Sequence, residues 1–300
     1  MGGRQDHFKD GRSTKAHGMI QHPKKDVDLS GGIMRLFNYC DARGIGILED
    51  CRLKVTSPSE FNDPFDCMPW CDVNSIQSRN ALRAMIRKGS TFFLSTHDPS
   101  TGSRTERRIR RRKAEQIEEK VLNSGLLDKT KSESINRFSV LCLSAEQDNY
   151  LMWAHYADKH RGMLLEFNLD SVFPLGSCGD GVMTRHLFQI EYSHIRPALD
   201  FAHPEKPALL TKGMEWKYEH EWRVMFHHDQ VAEIEFEGKQ MLFIDILPQY
   251  IRKVFLGCNA GDTEVQRVRE LLSDPRFAHV ELFRKRLHPR EFHQENERLN

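Results

Sequence analysis

Residues 139–168 read SVLCLSAEQDNYLMWAHYADKHRGMLLEFN. Val140 to Leu143 is an apolar run of strand length, and Ser144 to Gln147 is a polar turn. Asp148 stands where a helix N-cap would accept from free N–H groups. The helix so predicted, Asn149 to Ala157, packs Leu151, Met152, Trp153 and Tyr156 into a few turns. Gly162 follows, and Met163 to Phe167 reads as a second strand. Strand, helix and strand place Ser144, Asp148, His155 and His160 at or near element ends, where binding groups are commonly held. The plain alternative makes Trp153 and Tyr156 core and His155 and His160 surface histidines.

The second informative stretch is WKYEHEWRVMF, Trp216 to Phe226. Taken as one strand, it puts Trp222, Val224 and Phe226 on one face and Glu219, Glu221 and Arg223 on the other, because side chains alternate. Such a set is either an exposed ion-pair ladder or an acidic pair held by Arg223, with one carboxylate polarised for chemistry.

Working outward, Ile33 to Cys40 is predicted as the first strand, Ala42 to Asp50 as a short helix and Arg52 to Thr56 as a half-buried strand. Ser57 to Asp66, SPSEFNDPFD, is a loop of turn residues. Phe61 and Phe65 are expected to pin it to the core, leaving Asn62, Asp63 and Asp66 as fixed polar groups. Leu187 to Tyr192, Gln240 to Ile246, Ile251 to Leu256 and, last, His279 to Phe283 read as strands. Pro207 opens a short helix, and Asp262 caps another over Thr263 to Ser273. Strands outnumber helices and do not alternate regularly with them. The expected class is therefore α+β, a mixed, largely antiparallel sheet core with flanking helices. Residues 1–32 read as a flexible N-terminal segment, 33–287 as a single domain with a charged helical insertion at about 73–137, and 288–300 as a polar tail. Within the insertion, Ile76, Leu82, Met85 and Ile86 indicate an amphipathic helix. Thr105 to Asn123 is a long helix, basic from Arg107 to Lys113 and acidic from Glu115 to Glu119, as a solvated helix with internal pairs would be. A nucleic-acid contact there would lack interleaved aromatic residues.

Lys and Arg number 44 against 43 for Asp and Glu, a formal net charge of +1 over 300 residues, which excludes a general polyanion binder. No apolar run reaches the ~18 residues of a membrane span. No apolar leader opens the sequence, so the seven cysteines are expected to be reduced thiols of a cytoplasmic protein. There is no GxxxxGK[ST], GxGxxG or GxSxG. Cys67 and Cys71 lack a second pair at zinc spacing, and no metal is expected.

Four segments together resemble a bacterial family catalogued only as a domain of unknown function: LFNYCD (36–41), EFNDPFD (60–66), CLSAEQDNYLMWAHYADKHRGMLLEF (142–167) and KGMEWKYEHEWRV (212–224). That family carries a tyrosine-containing first strand, an N-D-P-x-[DE] loop, an S-x-x-x-D-x-x-x-M-W-x-H-Y segment and a final W-x-x-E-x-E-[WR]-R. The motif order in turn resembles the ADP-ribosyltransferase superfamily. The resemblance implies an enzyme that uses NAD as co-substrate, a toxin or defence effector acting on a macromolecular acceptor, protein or nucleic acid, away from membranes. Carried over, Asn38 or Tyr39 stands on the first strand, Ser144 and Tyr156 lie mid-chain, and Glu221 is the acid, with Glu219 orienting the acceptor. Asn62, Asp63, Trp153, His155 and Arg223 complete the expected NAD-binding set. This chain has Asn38 where that superfamily has His or Arg. The reading from another class is a non-catalytic module that binds a ligand or partner; a third is a nucleic-acid-directed effector using Arg107 to Lys113, marked by steep salt dependence.

Overall fold

The computed structural model describes residues 34–70, 80, 103–123, 135–169, 172–174, 184–199, 205–236 and 238–300. In chain order, β1 (Met34–Cys40), α1 (Gly46–Asp50) and β2 (Arg52–Val55) lead to α2 (Arg104–Asn123), β3 (Phe138–Ser144), α3 (Tyr150–Tyr156) and β4 (Met163–Leu169). Short strands β5 (Val172–Pro174), β6 (Thr184–His186), β7 (Phe188–Gln189) and β8 (Glu191–Ser193) follow, then α4 (Glu205–Leu210), β9 (Thr211–Gly213) and β10 (Glu221–His227). The chain ends with β11 (Ala232–Phe236), β12 (Lys239–Asp245), β13 (Ile251–Leu256), α5 (Asp262–Leu272), β14 (Glu281–Leu287) and β15 (Gln294–Arg298). Residues 1–32 and the helix expected around Ile76 to Ile86 lie outside the described residues.

Eight strands form one sheet in the order β15-β14-β13-β4-β1-β3-β10-β7. Every neighbour pair is antiparallel except β13 and β14, which run parallel and are joined through α5, the crossover that a parallel pair requires. This is the α+β class expected. Alternation along the central strands divides the core. Leu36, Leu141, Leu143, Leu165, Phe167, Val224 and Val254 face the main apolar cluster, which Val268 of α5 and Leu53 and Val55 of β2 close. Phe37, Leu164 and Phe255 face the opposite side, where Trp153 and Ala157 cover them. Trp153 has no exposed surface, and its indole N–H donates to the Gln147 carbonyl at 3.1 Å. Gly162 has to be glycine, because a Cβ there would stand 2.0 Å from the Cys40 carbonyl oxygen.

The sheet divides at β3. β1 pairs with β3 at a single register position, Phe37 opposite Ser144. Beyond it Asn38 reaches the Cys142 carbonyl through its side-chain amide, at 3.2 Å. At the other end of β3, Thr56 and Val140 exchange backbone hydrogen bonds at 2.9 Å, so the chain leaving β2 takes the place beside β3 that β1 has left. β2 continues into a small three-stranded sheet of order β11-β12-β2. A fork thus opens between β1 and β2.

Several expectations are corrected. The cap of α3 is Asn149, whose side chain accepts from the N–H groups of Leu151 and Met152, because Asp148 is drawn off to Lys285 at 2.5 Å. Gly261, without a side-chain bond, caps α5, and Asp262 is its first residue. Leu187 to Tyr192 is not one strand: Phe188–Gln189 pairs with β10, whereas Glu191–Ser193 pairs in parallel with β9. Phe65 does not pin its loop and is 65 % exposed; Asp63 holds the turn instead by accepting from the Phe65 N–H at 2.9 Å. Residues 288–300 are no free tail. β15 pairs with β14 over five positions, Leu299 packs on the main cluster, and the Asn300 side chain accepts from the Leu282 N–H. A polar strand needs only a partner edge for its backbone, which composition does not disclose. The long charged helix is present as α2, with Arg111 paired to Glu115 one turn on and Ile109 and Ile117 exposed.

Replacing Trp153 by Ala empties a fully buried site and should destabilise the fold by about 3–5 kcal/mol. Urea unfolding followed by far-UV circular dichroism would measure it, and a loss under about 1 kcal/mol would show that the surrounding cluster collapses to fill the space.

Candidate functional site

The turn before β10 decides the site. Met214–Glu219 forms 3₁₀ turns, His220 sits in the left-handed region (φ 43°, ψ 53°), and the strand begins only at Glu221. Glu219 is therefore not on the strand, contrary to the alternation expected from the sequence. The reversal at His220 nonetheless brings both carboxylates to one cation. Lys212 of β9 donates to Glu219 at 2.5 Å and to Glu221 at 3.0 Å, and stands 3.8 Å from Asp66. Arg223, with no exposed surface, donates through Nε to Glu221 at 2.7 Å, through both Nη atoms to Asp66 at 2.6 and 3.1 Å, and to the Leu209 carbonyl. Its guanidinium also lies over the Phe61 ring. Three carboxylates face two cations, all of them buried. The exposed ladder is thus excluded.

The two glutamates differ in environment. Burial would push the Glu221 carboxyl up, but the Arg223 and Lys212 cations outweigh it and hold it at about 2. For Glu219, burial wins: its carboxyl is raised above the ordinary value, although Lys212 pulls it down, with Glu221 adding repulsion. The Tyr156 hydroxyl donates to Glu219 Oε1 at 2.6 Å, and Asn62 reaches that hydroxyl at 3.5 Å. Ser144 donates to the Glu219 backbone carbonyl at 2.6 Å, fixing the turn from β3. Burial opposes the charge on Lys212, but Glu221 and Glu219 keep it above its ordinary value.

These groups line a cleft of about 640 Å³ that runs into the fork between β1 and β2. Among the expected residues, Asn38, Tyr39, Asn62, Ser144, His155, Tyr156, Glu219, Glu221 and Arg223 all line it. Tyr39 is committed to structure, its hydroxyl donating to the carbonyls of Glu146 and Gln147 at 2.8 and 3.0 Å. Trp153 and Asp63 do not line the cleft: the first is core, and the second holds its own turn. Sequence reasoning missed Lys212 and Asp66 as members of the charged cluster. Lys212 opens the KGMEWKYEHEWRV segment without an assigned role, and Asp66, which closes EFNDPFD, is expected from the sequence only as a fixed polar group of its loop. The five cysteines described, Cys40, Cys51, Cys67, Cys142 and Cys258, are free thiols. His288, His293 and Glu295 gather at the β14–β15 turn. There His288 Nδ1 accepts the Glu291 N–H at 2.9 Å, and His288 Nε2 stands 3.9 Å from the Glu295 carboxylate. Among the described residues, no helix is long and apolar enough to cross a membrane.

Residues 152–224 match the model of a family described as a protein of unknown function (DUF2971). The likeness to a family of unknown function, read from the motifs, holds over this span, which includes Tyr156, Lys212, Glu219, Glu221 and Arg223. No curated protein and no solved structure matches the chain.

The contrast between the glutamates is measurable in stability. Glu221 is depressed from 4.5 to about 2 on folding. Its contribution, about 3 kcal/mol, is fully present above pH 4.5 and disappears as the pH falls through 2. Glu221→Gln should lose about that amount at pH 7 and progressively less in acid. Glu219 has the opposite sign: its raised value favours folding in acid and opposes it at neutral pH, so Glu219→Gln should lose far less at pH 7. Urea titrations at pH 7 and pH 3 would check both, and equal losses for the two variants at pH 7 would contradict the assignment.

Proposed function

We propose that the cleft cleaves the N-glycosidic bond of NAD and passes the ADP-ribosyl group to an acceptor, with Glu219 as the reacting carboxylate. The observation that carries this reading is a buried carboxylate on the cleft wall whose two oxygens are already oriented, by Tyr156 and Lys212. In such a reaction the bond from ribose C1′ to the nicotinamide nitrogen breaks and its electron pair leaves with neutral nicotinamide. Positive charge develops on the ribosyl group, and a fixed anion beside it lowers that barrier. The acceptor oxygen then bonds to C1′, and its proton passes to Glu219. A carboxyl raised by burial suits proton transfer near neutral pH better than one held at about 2. Glu221, engaged by both Lys212 and Arg223, serves to orient them, and the catalytic role expected for it moves to Glu219. Tyr156, Asn62 and His155 line the same cleft, and in this reading they contact the nicotinamide riboside. The cleft volume lies within the range usual for small-ligand sites.

In this reading the protein is a cytoplasmic effector of toxin or defence type acting on a macromolecule, protein or nucleic acid. The complete pairing of Asp66, Glu221 and Arg223 favours a second reading, a non-catalytic module whose buried charges fix its shape. One experiment separates them. The full chain is incubated with NAD labelled in the nicotinamide and, separately, in the adenylate, with cell lysate as acceptor. Free nicotinamide and labelled macromolecule are expected, with Glu219→Gln slower by at least about a hundredfold while keeping its circular dichroism spectrum. NAD left intact by folded wild type leaves the module.

A further inference from the structure

The small sheet presents an outer face that its own packing does not explain. Strand register sets Lys54 opposite Phe243, Phe243 opposite Ala232, and Met241 opposite Ile234. Cross-strand partners share a face. Leu53, Val55 and Ile244 take the other face and fill the main cluster. Ile234, Met241 and Phe243 are half-buried, belong to none of the apolar clusters formed among the described residues, and line the cleft. The face of an antiparallel sheet turned away from the core is ordinarily polar. Beside these residues, Arg52 is paired with Asp245 at 2.9 Å, whereas Lys54 is exposed and has no carboxylate at ion-pair distance among the described residues.

Charge distributes unevenly along the cleft. At the Glu219 end carboxylates exceed cations by one, counting Asp66, Glu219 and Glu221 against Lys212 and Arg223. A phosphate is repelled there. At the small sheet Arg52 is paired with Asp245, Lys54 has no ion-pair partner among the described residues, and the Asp50 and Glu60 carboxylates also stand on the cleft wall. A planar base finds an aromatic ring and two flexible or branched apolar side chains, and such stacking is tolerant of base identity. The lysine beside it acts on a phosphate as a point charge.

We propose that the outer face of the β2–β12–β11 sheet is the subsite for the adenylate half of a dinucleotide, with the base on Phe243 between Met241 and Ile234 and the pyrophosphate toward Lys54. The proposal rests on the reading of the cleft as a site for NAD, and it extends that reading to the half of the molecule remote from the scissile bond. It accounts for the fork in the sheet: the parting of β1 from β3 lets one ligand touch both the carboxylate cluster and the small sheet.

The test uses the full chain and two measurements. Calorimetry with AMP reads the subsite without any turnover, and steady-state kinetics compares NAD with nicotinamide mononucleotide, which lacks the adenylate. Wild type is expected to bind AMP. Phe243→Ala and the milder Phe243→Leu, which keeps a branched apolar side chain without the ring, should each weaken AMP about tenfold, the scale of one lost aromatic stack. Both should lower the preference for NAD over the mononucleotide by a similar factor. Lys54→Gln should weaken AMP and flatten its salt dependence. AMP binding that falls in the variants supports the subsite even where NAD is not cleaved, in which case only the catalytic reading fails. NAD cleavage by wild type with AMP affinity and the preference ratio unchanged in folded Phe243→Leu overturns the subsite and leaves the catalytic reading standing. Wild type that neither binds AMP nor cleaves NAD overturns both.

Discussion

The Arg223 guanidinium is the constraint on which the site depends. A charge with no exposed surface is tolerated only where its donors are met, and Arg223 meets Glu221 on its own strand, Asp66 in the loop after β2 and the Leu209 carbonyl at the end of α4. Those three partners come from separate parts of the chain, so one side chain fixes how strand, loop and helix stand to one another. Removing a single partner would leave a buried charge uncompensated, and this makes the arrangement nearly all-or-none. The NDPFD loop is anchored to β10 through Asp66 for that reason.

Lys212 is the second member of the same network, and it divides the labour between two glutamates. Glu221 receives both cations and is held strongly acidic. Glu219 receives Lys212 and the Tyr156 hydroxyl, and stays the more easily protonated of the two. Two identical side chains two positions apart thus acquire opposite tendencies, because Arg223 donates to Glu221 while Lys212 is common to both. A residue whose ionisation opposes folding at neutral pH is what a reactive group often looks like, since activity and stability make different demands on the same side chain.

The divided sheet supplies space next to this network. Closing β1 against β3 along its whole length would gain ladder hydrogen bonds and remove the cleft. The Asn38 amide takes one of the bonds that the ladder gives up, and Thr56 takes others from the far side, so β3 remains largely satisfied while the fork stays open.

Much of the fold was legible in the sequence because it rests on local periodicity. β1, α1, β2, β3, β4, β12, β13 and α2 fall where alternation, apolar runs and turn residues put them, and the excess of strands over helices indicates α+β. Motif order brought out Ser144, Tyr156, Glu219, Glu221 and Arg223, which the cleft does gather. What the sequence left undetermined depends on partners distant along the chain. Asp148 resembles a cap, but a lysine 137 positions later takes its carboxylate. Glu219 resembles a strand residue, but His220 reverses the backbone before the strand begins. Burial of Arg223, the recruitment of Lys212 and Asp66, and the face that the small sheet turns to the cleft arise only when strands remote in sequence come into register. A charge's environment belongs to the space around it, and periodicity along the chain carries no record of that space.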